Sequence, residues 1–188
     1  MIGRVPSDEE MRKGLEEHGL FLYFGHSSGE QYLQSHHIKR LRSCPVSVLM
    51  GCSSGMLRQS GEFGPWGSAL SYLMAGSPCV VANLWDVTDR DIDRFTWRLF
   101  KLWGLRELDK DDDDGEIEEH GIESNMENDD DDDDEDDADD GKVKKGLFQR
   151  RLSICQALGA SRAVCKLGNL VGAAPICYGV PVHLIPPK

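Results

Sequence analysis

Cys52 closes a short apolar run, Val46-Ser47-Val48-Leu49-Met50-Gly51, and is followed at once by Ser53-Ser54-Gly55. A second run has the same form: Leu20-Phe21-Leu22-Tyr23-Phe24 leads through Gly25 to His26-Ser27-Ser28-Gly29. A thiol and an imidazole therefore stand at equivalent places, each just beyond an apolar segment and each embedded in glycine and serine. The chemistry such a pair performs is nucleophilic acyl transfer, in which the histidine moves protons and the thiolate attacks a carbonyl. That reaction also needs donors for the oxyanion of the tetrahedral intermediate. The backbone N–H groups of Ser27 and Cys52, both in glycine-flanked turns, are the candidates.

A blander reading stands beside this one. A cysteine after an apolar strand is often only a small buried hydrophobe, and Cys79 and Cys177 read that way. Cys52 is set apart by its polar surroundings and by the matching histidine. Asp86 and Asp89, which follow Trp85 after another apolar run, either form an acidic pocket for a cationic side chain or serve as solvated helix-capping carboxylates. His36 and His37 read as surface residues of a polar helix.

The elements that must position these groups follow from the apolar pattern. Runs without turn formers predict strands over 20–24, 46–50 and 79–85, and glycine or serine stops each of the first two. Ahead of the first, 7–19 predicts a helix with Ser7 as N-cap, and between the first two, 30–42 predicts another with Tyr32, Leu33 and Leu41 inward. A strand, a helix and a strand make a crossover unit with parallel strands, which brings His26 and Cys52 to one sheet edge. The order continues with a loop over 55–65, a helix over 68–75 and a helix over 89–103 carrying Ile92, Phe95, Leu99 and Trp103 on one stripe. Thr88 and Asp91 have the form of a capping box at its start. Residues 147–167 are helical in pattern, with Gly159 as a weak point, and the Gly- and Pro-rich end predicts a loop and a last extended strand. The fold class is α/β, a parallel sheet with helices on both faces.

Composition divides the chain. Of the net charge of −12 over 188 residues, the stretch from Asp109 to Asp140 carries 21 Asp or Glu and one Lys, so it holds −20 and the remainder +8. Charge at that density stays hydrated, so 109–141 reads as a disordered acidic insertion between core segments 1–108 and 142–188. The six cysteines have no CxxC pairing and several lie in apolar runs, which argues against a disulfide framework or a zinc site and for reduced thiols. No apolar run is long enough for a membrane span, and no phosphate-cradling glycine motif is present. A soluble chain of the cytoplasm or nucleus, without metal or cofactor and without direct nucleic-acid binding, is expected.

Four segments carry a resemblance: YFGHSSGEQYL (23–33), VLMGCSSG (48–55), GPWGSALSYLMAGSPCVVANLWDVTDRDIDRFT (64–96) and LVGAAPICYGVPV (170–182). They closely resemble the C-terminal protease domain of separase, particularly in plants. The resemblance implies a caspase-like α/β sandwich and a cysteine endopeptidase that cleaves the kleisin subunit of cohesin after arginine, releasing sister chromatids at anaphase. It implies a securin-like pseudosubstrate inhibitor as partner. It makes Cys52 the nucleophile and His26 the catalytic histidine, and it moves Trp85, Asp86 and Asp89 towards the arginine pocket without choosing between the two carboxylates. Two departures accompany it. The family usually has glycine where this chain has Ser27, and its sheet has further strands ahead of the histidine strand, so an incomplete sheet with an open edge is expected. An alternative follows from that second departure: a catalytically inactive binding module for securin-like or cohesin partners.

Overall fold

The computed structural model describes residues 5–105 and 152–185. The acidic stretch, both expected segment boundaries and residues 147–151 lie outside the described residues.

Apolar runs become strands where the sequence expects them. Leu20–Tyr23 forms β1, Val46–Leu49 β2 and Cys79–Asn83 β5, with Pro175–Gly179 as β6. The sheet order is β1-β2-β5-β6; the first three are parallel and β6 returns antiparallel along β5. Strand alternation then sends neighbouring residues to opposite faces. Leu49, Val80 and Ala82 join one cluster, while Val48, Cys79 and Val81 join the other. Sealing both faces makes the β5 residues buried without exception.

The first face is covered by α1 (Asp8–Glu17), α2 (Ser35–Ile38) and α3 (Ser68–Met74), through Met11, Leu15, Ile38, Ala69 and Tyr72. Helix α1 starts as the sequence predicts: Ser7 and Glu10 cap each other reciprocally. Its C-terminal turn is tied to the segment before β2, where Glu16 accepts from the Arg42 N–H at 3.0 Å. The second face is covered by α4 (Asp89–Trp103) and α5 (Ile154–Ser161), through Ile92, Phe95, Leu99, Trp103, Ile154 and Ala157. Helix α4 stops at Gly104, whose left-handed φ of 83° closes the last turn.

Three expectations change. Residues 30–42 contain only the short α2, because Glu30 is held by the hydroxyls of Ser35 and Ser68 and the chain around it runs in turns. The loop over 55–65 contains an antiparallel hairpin, β3 (Arg58–Ser60) and β4 (Phe63–Trp66), turned at Gly61 with φ 59°. The capping box of α4 does not form: Thr88 makes no side-chain cap. Asp91 is buried instead, accepting from the Leu167 N–H at 2.9 Å and from Arg94 at 3.2 Å. The Leu167 N–H is the largest influence holding its carboxyl below the usual range; burial opposes it, and the Lys166 N–H and Arg94 add to it.

At one margin of the sheet, β1 pairs with β2 alone among the described residues. Leu22 there is 37% exposed and Phe24, just past the strand, 55%. Among the described residues no helix is long and apolar enough to cross a membrane.

Candidate active site

Parallel pairing of β1 and β2 in register Tyr23↔Leu49 places the ends of the two strands side by side. The ladder continues past them, where the Met50 N–H donates to the Tyr23 carbonyl at 2.9 Å. Beyond that bond the backbones press together. A Cβ built on Gly51 would lie 2.0 Å from the Ser27 carbonyl oxygen and 2.5 Å from that of Gly25, so only glycine lets the two turns approach this closely. The turns bearing His26 and Cys52 are thus in direct backbone contact, as the crossover argument predicts.

Each turn is braced from below. The Tyr23 hydroxyl donates to the His26 carbonyl at 2.8 Å and accepts from Gln31 Nε2 at 2.9 Å. Its ring lies against Gly25 and Gly29. On the cysteine side, Asn83 at the end of β5 donates through Nδ2 to the Gly51 carbonyl at 3.2 Å. The Asn83 backbone N–H donates to Ser54 Oγ and its carbonyl accepts from the Gly55 N–H. The Ser53 N–H reaches the Trp85 carbonyl at 3.1 Å, and the Tyr178 hydroxyl on β6 donates to the Gly55 carbonyl at 2.7 Å.

His26 is exposed and Cys52 half-buried at the same rim. The Cys52 thiol donates to the Val87 carbonyl at 3.4 Å, and no hydrogen bond joins it to the His26 imidazole among the described residues. Hydrogen bonds of this kind are commonly long before substrate binds and tighten afterwards. The N–H groups of Ser27 and Cys52 meet no acceptor among the described residues. Both turns place the next serine in the left-handed region, Ser27 at φ 52° and Ser53 at φ 53°.

Ser27 pays about 1–2 kcal/mol for that conformation, less the unfolded-state entropy that glycine would add, about 0.5–1 kcal/mol. Ser27→Gly is therefore expected to stabilise the chain by about 0.5–1 kcal/mol. A urea midpoint that falls in the variant would contradict the strain argument.

Of the two carboxylates, Asp86 is the one tied to the cysteine turn: it accepts from the hydroxyl of Ser53, the residue after Cys52, at 2.7 Å. Asp89 is exposed in the first turn of α4. Trp85 is anchored by its indole N–H, which donates to the Leu170 carbonyl at 2.6 Å. That carbonyl belongs to a wide helical turn over Gly168–Gly172, and Asp91 holds the residue just before it, Leu167.

The remaining cysteines are poor nucleophiles. Burial pushes the thiols of Cys44 and Cys155 up to about 11 and raises that of Cys165. Cys177 is raised chiefly by its contact with Cys79, 3.1 Å away, and then by burial. Cys79 is itself completely buried. Among the described residues no three His, Cys, Asp or Glu side chains are grouped to hold a metal ion.

Sequence reasoning singled out Cys52, His26 and the Asp86 turn as candidates but passed over Tyr23, Gly51 and Asn83, which the structure packs around them. The one available signal was the glycine directly before the cysteine.

Comparison with known proteins gives the same frame. The family model described as "Separin, protease domain" matches residues 1–92. The separin of Schizosaccharomyces pombe is 41% identical over 186 residues, covering 99% of this chain and 8% of that protein. The separin of Saccharomyces cerevisiae is 36% identical over 185 residues, covering 98% and 9%. The 2.6 Å crystal structure of the Saccharomyces cerevisiae separase–securin complex superposes with a TM-score of 0.70 at 34% identity, covering 96% of this chain and 10% of that one. The chain spans less than a tenth of the length of the curated relatives it matches. With its parallel-dominated α/β sheet and the separin match running nearly end to end, the chain belongs to the separin family and corresponds to that family's C-terminal protease domain.

Proposed function

We propose that this chain carries the catalytic centre of a cysteine endopeptidase that cuts after arginine, with Cys52 as nucleophile and His26 as its acid–base partner. The observation that carries the reading is the backbone contact at Gly51, which joins the thiol turn to the imidazole turn at an open rim. His26 takes the thiol proton as sulfur attacks the scissile carbonyl. The oxyanion is received by the N–H groups of Ser27 and Cys52, and His26 returns the proton to the departing amine. Water then releases the acyl group from sulfur by the same route in reverse. Asp86, hydrogen-bonded to Ser53, suits the planar guanidinium of a substrate arginine, with Asp89 and Trp85 bordering the same turn.

The substrate is read as the kleisin subunit of cohesin, from the separase resemblance of the motifs. A securin-like inhibitor is the corresponding partner, supported by the solved relatives being separase–securin complexes. The setting is the nucleus and cytoplasm, in chromosome segregation during mitosis and meiosis.

An arginine acyloxymethyl ketone tests the dyad against the alternative of an inactive binding module. One equivalent is expected on Cys52, none after Cys52→Ser, and labelling about tenfold slower after Asp86→Asn, since a charge-assisted hydrogen bond is worth about 1.5 kcal/mol or more. An unlabelled Cys52 in the folded chain would reject proteolysis and leave the binding module.

A further inference from the structure

The geometry points to Tyr23 and Asn83 as positioning residues that aim the two oxyanion-hole donors; the inference rests on the proteolytic reading above. The two candidate donors belong to two peptide units, His26–Ser27 and Gly51–Cys52. Each unit has its carbonyl held by a buried strand side chain, Tyr23 at the end of β1 just before its turn and Asn83 on β5, the neighbour of β2. Tyr23, 8% exposed, donates to the His26 carbonyl at 2.8 Å; Asn83, fully buried, donates through Nδ2 to the Gly51 carbonyl at 3.2 Å.

Both peptides are trans, and in a planar trans peptide the C=O and the N–H point in opposite directions. A carbonyl turned inward to Tyr23 therefore turns the Ser27 N–H away from Tyr23. The same holds for Cys52 and Asn83. This accounts for two N–H groups that find no acceptor among the described residues. A hydrogen bond received at a peptide's oxygen also polarises its N–H, so each brace strengthens the donor it aims.

Neither brace is free to turn round. The Tyr23 oxygen accepts from Gln31 Nε2, which commits its own proton to His26. Reversing the Asn83 amide would set its oxygen 3.2 Å from another carbonyl oxygen. In the orientation it holds, Asn83 Oδ1 is buried without a partner among the described residues, so the amide is fixed through its nitrogen, on the Gly51 carbonyl.

The test uses the full chain with Tyr23→Phe and Asn83→Leu, each first shown to unfold cooperatively. Cleavage of an arginine peptide is followed together with iodoacetamide alkylation of Cys52, read by mass spectrometry; that alkylation uses the thiolate but forms no oxyanion. Each variant is expected to lose about 10- to 100-fold in kcat, somewhat less than removal of a donor outright, with KM and the alkylation rate within twofold of the parent. The proposal is overturned if kcat of Tyr23→Phe stays within twofold, or if alkylation falls in step with kcat, since the damage would then be to the dyad. Should Asn83→Leu fail to fold, Tyr23→Phe decides alone. Undiminished cleavage by Cys52→Ser is a separate result, which removes the proteolytic reading itself.

Discussion

Serine in place of Cys52 is expected to lower kcat for an arginine-containing kleisin peptide by about 10⁴-fold, equivalent to about 5 kcal/mol of transition-state stabilisation. The hydroxyl is the right size but a far weaker acid than the thiol, so His26 must remove a proton that the alcohol gives up reluctantly. No other sulfur can take over. Cys44, Cys155, Cys165 and Cys177 are held protonated by burial or by a neighbouring thiol, and Cys79 has no exposed surface. What remains in the variant is binding and the oxyanion donors, which by themselves retain some rate over water. KM should move little, since the Asp86 side of the site is untouched. Stability should move little as well, because the thiol contributes one long hydrogen bond to the Val87 carbonyl. A kcat within tenfold of the parent would assign the nucleophile elsewhere.

The sheet and its helices were legible because burial on two faces demands continuous apolar strands, and β2 and β5 have them. The crossover rule then supplied parallel order, and with it the meeting of two loops 26 residues apart. What escaped was everything decided by distant contacts. Thr88 and Asp91 have capping-box spacing, yet Asp91 is taken by the Leu167 N–H, 76 residues further along the chain. The hairpin over 58–66 is rich in glycine and carries Pro65, so its composition spells a loop while cross-strand pairing makes two strands of it. Tyr23 and Asn83 read as ordinary strand residues. Their part in the site depends on how a peptide plane in the turn beyond the same strand (Tyr23) or beyond the adjacent one (Asn83) is turned, and no local pattern encodes that.

Gly51→Ala is expected to damage both rate and stability, although it adds one methyl group and leaves every reactive atom in the chain. The new Cβ would sit 2.0 Å from one carbonyl oxygen and 2.5 Å from another. Both are backbone atoms of the His26 turn, so no side chain can swing aside. The turn must withdraw by more than 1 Å to reach ordinary contact distance. It cannot withdraw without straining the Met50–Tyr23 ladder bond or the Tyr23–His26 brace. Overpacking of this sort costs about 1–3 kcal/mol in stability, and misplacing a reacting group by 1 Å costs about 100-fold in rate. We therefore expect kcat to fall by at least about 100-fold while the thiol remains present. Gly14→Ala is the matched control: it lies within α1 with nothing within 4 Å of its added Cβ, so it should stabilise by about 0.5–1 kcal/mol and leave kcat alone. If Gly51→Ala keeps the kcat and the melting temperature of that control, the two turns are not in the contact that the proposed chemistry requires.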